Sequence, residues 1–343
     1  CPSLLLEPSR TNSITQSEYF GAWTPSGLTI TDNDATSPEG VSNAAKLTLP
    51  SGSAAKRISL GSIPVTSVAR SYSFFVKSDD ITAVQLVHSG DLQGYARFDI
   101  SSGVVGSKGS KTTSDIEDYG NGWYRCIANF DSTNVFGSTI YLYINDSASG
   151  SYGGSTNAEG DLFVYGAQYE EGSYPTSYIP TYGTSASRAA DDCVIANTGD
   201  IIADSKGSFF IDINVNMLDS NGLIPLTIGV GTADLYYLWL TTTKAVRSEW
   251  YNGGGLQALI QTSVGYFNIG DRLKIAVAYQ DNDFVMYVNG TLIGTDTSGT
   301  APNPDSFRLG GYTAPDYYGG GIKQALVFKT RLTNAELAAL TTI

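Results

Sequence analysis

The stretch RLKIAVAYQDNDFVMYVNGTLIGTD, residues 272–296, contains two runs in which every second residue is large and apolar. A period of two residues is typical of a β-strand with one buried face. The two runs are joined by Asp281-Asn282, and Asn289-Gly290 follows the second run. Because two-residue connections of this chemistry join antiparallel strands, the stretch predicts β-hairpins rather than helices.

The composition of the whole chain favours the same kind of structure. Its 343 residues include 38 Gly and 22 Tyr but only 2 Met, and 15% of them are charged. Such a chain is rich in turn and strand formers, so a helical bundle is excluded. Further alternating segments lie between Gly-rich turns, at residues 72–78, 83–89, 94–100, 123–130, 138–145, 161–169, 207–216, 234–242, 256–262, 306–312 and 322–330.

The length and one change of composition divide the chain. At about 100–200 residues per domain, the chain is long enough for two cores. Residues 173–192 are rich in Pro, Ser, Thr and Tyr, and Pro175 and Pro180 suppress strand pairing there. We therefore predict an all-β chain of two consecutive jelly-roll β-sandwich domains, residues 1–172 and 193–343, joined by this linker.

Smaller features complete the expected framework. A short helix is predicted over residues 332–341, where Thr333 and Glu336 have the spacing of a capping box. His88, the one histidine, ends a strand without a Ser or Cys partner and is interpreted as a surface residue. The linker tyrosines are expected to pack the two domains together: Tyr174, Tyr178 and Tyr182.

Charge and hydropathy exclude two classes of partner. The chain has 33 acidic and 20 basic residues, a formal net charge of −13, and no cluster of Lys and Arg offsets this locally. We therefore expect no nucleic-acid partner. No apolar run approaches the roughly 18 residues that span a bilayer, so we expect no membrane insertion. The three cysteines are far apart in sequence and indicate neither a disulfide framework nor a zinc site.

Several long phrases of the sequence resemble modules of phage and prophage tail-fibre proteins. The first part resembles a jelly roll of the carbohydrate-binding-module superfamily, and the second part resembles a laminin-G-like, concanavalin A-like lectin module. The resemblance rests on CPSLLLEPSRTN (1–12), SEYFGAWT (17–24), DYGNGWYRC (118–126), YGAQYEEGSYPTSYIPTYGTSASRAAD (165–191), GSFFIDI (207–213), residues 272–296 and YYGGGIKQALVFKTRLTNAELAAL (317–340).

This resemblance implies a function and a setting. It implies adhesion to a surface polysaccharide by the C-terminal portion of a longer fibre, located in a virion tail or otherwise extracellular. A homotrimer, formed through upstream fibre segments, is also implied. Because each superfamily hosts many functions, the resemblance does not identify the glycan.

Aromatic residues beside glycine-rich loops are the candidate sugar-binding residues. A sugar is bound by an aromatic ring against its C–H face with polar groups at the rim. The alternative is that these rings close the ends of the sandwich or are covered by other elements. The candidates are Trp250, Tyr251, Tyr312, Tyr317 and Tyr318 in the second domain and Tyr141 and Tyr143, on one face of a strand, in the first.

No catalytic residue is assigned, because no pair of acids has the setting that glycoside hydrolysis requires. A polysaccharide depolymerase remains an alternative, with Arg247 and Glu249 as its residues, and a structural spacer is a further alternative. No cofactor is required, although acidic loops such as residues 32–34 could supply oxygen ligands for a structural calcium ion.

Overall fold

The computed structural model describes residues 4–196, 202, 205–216, 218, 222–229, 233–303, 306–311, 318 and 320–343. The chain divides into two compact units. We call Arg10–Arg188 the first unit, and Cys1–Ser9 together with Ala189–Ile343 the second unit. The described residues of both units are almost entirely strands and turns, which confirms the predicted all-β class.

The first unit contains two six-stranded antiparallel sheets. The β8 sheet has the order β10-β9-β8-β13-β6-β3, the β7 sheet has the order β11-β12-β7-β14-β5-β4, and β2 pairs with β15. A short 3-10 helix, Phe20–Ala22, precedes β3. The strands are β2 (Arg10–Asn12), β3 (Thr24–Ser26), β4 (Thr29–Ala35), β5 (Ala44–Leu49), β6 (Lys56–Leu60), β7 (Arg70–Lys77), β8 (Ala83–His88), β9 (Tyr95–Asp99), β10 (Val104–Lys108), β11 (Thr112–Gly120), β12 (Trp123–Phe130), β13 (Ile140–Asn145), β14 (Gly160–Glu171) and β15 (Ala186–Arg188).

The second unit also contains two six-stranded antiparallel sheets. The β17 sheet has the order β1-β26-β17-β22-β23-β24, and the β19 sheet has the order β16-β25-β18-β19-β20-β21. Its elements are β1 (Leu4–Leu6), β16 (Cys193–Ala196), β17 (Lys206–Asn214), β18 (Leu223–Ile228), β19 (Leu235–Leu240), β20 (Val246–Asn252), β21 (Gly255–Gln261), β22 (Arg272–Gln280), β23 (Asp283–Val288), β24 (Thr291–Asp296), β25 (Ser306–Leu309), β26 (Gly320–Phe328) and the helix α1 (Asn334–Thr341).

The hairpins predicted from residues 272–296 are present. Gln280 pairs with Asp283 across the first turn, and Val288 pairs with Thr291 across the second turn. The turns depend on positive φ angles, +58° at Asn282 and +50° and +78° at Asn289-Gly290. Asn and Gly tolerate this conformation best, so the turn residues set the register of the β17 sheet.

Side-chain alternation builds the core of the first unit between its two sheets. Phe74 and Val76 of β7 and Val84 and Leu86 of β8 are buried in one apolar cluster. Leu142 of β13 belongs to the same cluster. Alternate residues of the same strands point away from this core, so the outer face of the β8 sheet carries the remaining side chains.

The predicted start of the first domain is wrong. Residues 1–9 group with the second unit. Leu4 of β1 pairs with Ile322 of β26, so the chain begins its described part as an edge strand of the β17 sheet. This pairing joins residues that are far apart in sequence, and no local pattern indicates it.

The predicted linker, residues 173–192, also differs from the structure. Its part up to Arg188 belongs to the first unit, where Ala186 of β15 pairs with Asn12 of β2. Glu170 lies just before the predicted linker, and Thr176 lies within it. The buried carboxylate of Glu170 accepts hydrogen bonds from the backbone N–H and the hydroxyl of Thr176, at 2.8 and 2.6 Å. Specific contacts therefore fix this segment within the first unit instead of leaving it extended in solvent.

Tyr178 and Tyr182 of this segment, expected to pack the two domains together, contact residues of the first unit. The hydroxyls of Tyr178 and Tyr182, together with that of Tyr165, lie 3.2–3.3 Å from Oε1 of Glu18. The ring of Tyr178 packs edge-on against Phe75, with centroids 6.1 Å apart. These contacts hold the segment against the outer face of the β7 sheet.

The C-terminal helix is shorter than predicted by two residues but has the predicted cap. Thr333 Oγ1 accepts a hydrogen bond from the backbone of Glu336 at 3.3 Å, and Glu336 Oε2 accepts one from the backbone of Thr333 at 2.7 Å. Leu337 is buried against Phe210 and Val285. Among the described residues, no helix has the length and hydropathy of a membrane span.

His88 is buried, so its interpretation as a surface residue is wrong. Its side chain is 2% exposed and its ring lies 4.7 Å from Phe136 and 5.6 Å from Tyr169, between centroids. Burial, aided by the positive charge of Arg70 and opposed by the hydrogen bond to the Ser89 carbonyl, lowers the pKa of His88 from 6.5 to about 4. The imidazole is therefore neutral in the folded protein at pH 5.

This burial predicts a pH-dependent stability. Between pH 6.5 and 4 the unfolded chain protonates His88 and the folded chain does not, so His88 makes the free energy of unfolding fall as the pH falls through this window. From pH 7 to pH 5, urea unfolding of the wild type should lose about 2 kcal/mol more than that of His88→Gln. Parallel pH dependences of the two proteins would contradict the assignment.

Candidate functional site

A group of aromatic and charged side chains lies on the outer face of the β19 sheet. β20 places Arg247, Glu249 and Tyr251 at every second position, while Ser248 and Trp250 point to the opposite face. On the neighbouring β19, Tyr237 and Trp239 face outward in the same way. We call Tyr237, Trp239, Arg247, Glu249 and Tyr251 the Glu249 cluster.

The register between the two strands brings these side chains together. Tyr237 is the cross-strand partner of Glu249, and Trp239 is the partner of Arg247. Directly opposed side chains in an antiparallel pair lie within contact distance, so the five residues form one continuous surface.

The carboxylate of Glu249 is the centre of the cluster. It is 2% exposed, and it accepts a hydrogen bond from the Tyr251 hydroxyl at 2.8 Å. The Tyr237 hydroxyl donates to the same oxygen, Oε2, and Arg247 forms an ion pair with Oε1. Because a buried carboxylate is costly unless it is paired and hydrogen-bonded, these partners fix one another in place.

Aromatic faces surround this centre. The rings of Tyr237 and Tyr251 are stacked, with centroids 5.9 Å apart and planes 22° apart. The Arg247 guanidinium lies 5.5 Å from the centroid of the Trp239 ring. Behind Trp239, Gly222 has a φ of +82°, and a Cβ at this position would lie 2.4 Å from Trp239 Nε1. Glycine is therefore required for the indole to occupy its place.

Both tyrosines of the cluster remain protonated at ordinary pH. Burial, reinforced by the hydrogen bond to Glu249, raises the pKa of Tyr237 well above its usual value. The pKa of Tyr251 is also raised, chiefly by burial. Their hydroxyls are thus hydrogen-bond donors to Glu249, and each oxygen keeps the capacity to accept a hydrogen bond.

Two of the predicted sugar-binding residues belong to the interior instead. Trp250 is 1% exposed and its ring lies 4.0 Å from that of Tyr236, between centroids, and 4.7 Å from that of Tyr279. Tyr318 is fully buried and its hydroxyl donates to the Asn214 carbonyl at 2.6 Å. Neither ring can stack against a sugar.

Of the other predicted sugar-binding residues of the second unit, one lies on the outer sheet face and two lie outside the described residues. Tyr251 is half-buried and belongs to the Glu249 cluster. Tyr312 and Tyr317 lie outside the described residues. Tyr237 and Trp239 are not among the residues predicted from the sequence, and Arg247 and Glu249 are predicted only for the depolymerase alternative. The alternation of Arg247, Glu249 and Tyr251 along one strand is the signal that places these three side chains on one face.

The candidates of the first unit lie on the outer face of the β8 sheet. Tyr141 is half-buried, whereas Tyr143 is 5% exposed and so is not available for stacking as predicted. Arg57 lies over both rings, 5.1 Å from the centroid of Tyr141 and 5.2 Å from that of Tyr143, and it donates to the Tyr143 hydroxyl. Tyr152 packs against the same group. We call these four residues the Arg57 patch.

A loop following β13 covers part of this face. Arg97 donates to the carbonyls of Ser147, Ser149, Ser151 and Gly153, at 2.7–3.0 Å. Beside the loop lies a cleft of about 430 Å³, lined by Thr82, Asp99, Gly106, Ser107, Asp146, Ser147, Ala148 and Ser149. It has no aromatic wall, so it lacks the surface on which a sugar ring stacks.

The proposed calcium ligands are engaged in other contacts. Asp32 accepts hydrogen bonds from the backbone of Phe20 and Gly21, and Asp34 forms an ion pair with Lys46 at 2.7 Å. The described residues contain no group of three or more His, Cys, Asp and Glu side chains that could hold a metal ion.

Comparison with known proteins identifies the fold of the second unit. Residues 196–338 match a laminin-G family model described as the Concanavalin A-like lectin/glucanases superfamily. This unit is therefore a concanavalin A-like domain. No curated protein sequence matches the chain.

Similar solved structures share little sequence with this chain. The CBM40 of the Ruminococcus gnavus IT-sialidase is 20% identical over 41% of this chain and 85% of that chain, with a TM-score of 0.35. A SAP-like pentraxin from Limulus polyphemus is 11% identical over 41% and 72% of the two chains, with a TM-score of 0.34. Because the identities and TM-scores are low, these structures carry no argument about function. The function is argued from the residues of this chain.

The burial of Trp250 predicts a structural role that a stability measurement can test. Trp250→Ala should destabilise the second unit by about 3–5 kcal/mol, because it leaves a cavity among Tyr236, Tyr279 and Phe284. Tyr251→Ala, on the outer face of the same strand, is the matched control and should cost much less. Equal losses in urea unfolding for the two variants would contradict the assigned orientation of β20.

Proposed function

We propose that this chain is the non-catalytic, glycan-binding portion of a phage-type tail fibre or adhesion protein. The observation that carries the proposal is the Glu249 cluster, in which aromatic faces and fixed polar groups share one surface of a concanavalin A-like domain.

The chemistry of the cluster suits a saccharide. A sugar ring has an apolar C–H face and a rim of hydroxyls, and aromatic side chains with a few placed polar groups bind both. Trp239 and the stacked pair Tyr237 and Tyr251 supply the faces. The tyrosine hydroxyls, the Arg247 guanidinium and the exposed amide of Gln261 supply the polar rim.

Two observations favour binding over hydrolysis or lyase chemistry. Glycoside hydrolysis ordinarily uses two carboxylates, and the six strands of the β19 sheet contain one acidic residue, Glu249. A tyrosine that acts as a general base needs a pKa near the working pH, whereas the pKa values of Tyr237 and Tyr251 are raised. A depolymerase is the second candidate because Arg247, Glu249 and Tyr251 do share one face.

The biological context of the chain is inferred from the resemblance of its long phrases to tail-fibre modules. An open sheet surface offers a shallow site, for which modest affinity is expected. A fibre that carries several copies, such as a homotrimer, would gain avidity by orders of magnitude without new contacts. Host attachment through surface polysaccharide is therefore the proposed role, at the virion tail or on a cell exterior.

A glycan array combined with a product assay tests the function. The wild type should bind at least one bacterial-surface or marine polysaccharide and release no new reducing ends or unsaturated products. Trp239→Ala/Tyr251→Ala should weaken that binding about tenfold or more, because two stacking surfaces are removed.

The control is Tyr19→Ala, which removes an exposed tyrosine of the first unit and should leave binding unchanged. Product formation would favour the depolymerase, and its dependence on Arg247 and Glu249 would then be measured. No binding to any glycan on the array would contradict the glycan-binding function and favour a structural spacer.

A further inference from the structure

The Arg57 patch differs from the Glu249 cluster in its charge balance. Arg247 is neutralised by Glu249, but Arg57 takes part in none of the ion pairs formed among the described residues. Arg57 donates a hydrogen bond to the hydroxyl of Tyr143, a neutral group. The guanidinium therefore keeps a full positive charge on the outer face of the β8 sheet.

The strands around Arg57 carry no acidic side chain. Strand β6, which carries Arg57, and its neighbours β3, β13 and β8 contain no Asp or Glu. The chain as a whole has 33 acidic and 20 basic residues. A carboxylate-free face of four adjacent strands is thus a local exception to the net charge of −13, and it can attract an anion that the rest of the surface repels.

Arg57 is also held in position before any ligand arrives. The Tyr141 and Tyr143 rings, with centroids 5.6 Å apart, lie on one side of the guanidinium, and the Tyr143 hydroxyl accepts a hydrogen bond from Nη1. Across the sheet, Ser26 is the strand partner of Arg57 and Ser59 is the partner of Tyr141. One site therefore contains the planar guanidinium of Arg57, the partly exposed ring of Tyr141 and two nearby serine hydroxyls.

We propose that the Arg57 patch is a second saccharide site and that it selects anionic saccharides. Arg57 pairs with a carboxylate or sulfate of the ligand, because a guanidinium forms two parallel hydrogen bonds with either anion. Tyr141 contacts the sugar ring, and Tyr143 is a positioning residue that orients Arg57. The proposal rests on the proposed glycan-binding function, to which it adds a site in the other unit and a ligand charge.

Two matched pairs of probes isolate the charge of the ligand. Polygalacturonate and its methyl ester have the same backbone, but only the acid carries carboxylates. Dextran sulfate and dextran are the equivalent pair for sulfate. The 343-residue chain should be retarded by at least one charged polymer in affinity electrophoresis about tenfold more strongly than by its neutral counterpart.

Variants then assign the effect to Arg57. Arg57→Gln should abolish the preference for the charged polymer, and Arg57→Lys should retain part of it, because a lysine keeps the charge without the planar fork. Lys108→Gln removes the same charge from an exposed position of β10 in the same sheet and should change nothing. Tyr141→Ala should weaken binding of the charged polymer while the fold, checked by circular dichroism, is kept.

The outcomes separate this proposal from the proposed function. Trp239→Ala/Tyr251→Ala should keep the preference for the charged polymer over its neutral counterpart, since the Glu249 cluster lies in the other unit. If the array finds glycans but neither charged polymer is preferred over its neutral counterpart, the anionic site is refuted and the general function stands. Unchanged preference in Arg57→Gln, or an equal loss in Lys108→Gln, would also overturn it.

Discussion

The alternation of side chains along β20 is the constraint on which both the core and the candidate site of the second unit depend. Trp250 points inward to Tyr236 and Tyr279, and its neighbours Glu249 and Tyr251 point outward. A shift of one residue against β19 would exchange the two faces, burying charge and exposing the indole. Because the hydrophobic core opposes such a shift, it also fixes the position of every group in the Glu249 cluster.

Arg247 and Arg57 both lie on open sheet faces, but only Arg247 has a carboxylate beside it. This carboxylate decides whether the charge of the guanidinium is neutralised. At the Glu249 cluster the ion pair neutralises Arg247, and the tyrosine hydroxyls complete the coordination of the buried carboxylate. That arrangement gives a rigid, neutral surface that suits hydroxyl-rich ligands. At the Arg57 patch the tyrosines orient the guanidinium without cancelling its charge. The two units thus present surfaces of different charge.

Local patterns predicted the strands well and their partners poorly. Residues 123–130 and 272–280 were delimited correctly, because alternation and turn residues are local properties of the sequence. The pairing of β1 with β26 and the return of residues 173–188 to the first unit depend on contacts between distant residues, which no local pattern shows. The glycines after Tyr251 predict a loop beside Trp250, whereas β20 continues to Asn252 and places Trp250 on the inner face. Of the predicted sugar-binding residues that the structure describes, Tyr141, Tyr143 and Tyr251 lie on outer sheet faces, whereas Trp250 and Tyr318 are buried.

A titration followed by aromatic ¹H–¹³C spectroscopy shows whether a glycan binds at the Glu249 cluster. With a soluble oligosaccharide of a polysaccharide that the chain binds, the ring signals of Tyr237, Trp239 and Tyr251 should shift together and saturate at one dissociation constant. The signals of Tyr236 and Trp250, on the inner face of the same strands, should stay in place. Binding that leaves the outer rings unshifted would contradict a glycan site at the Glu249 cluster.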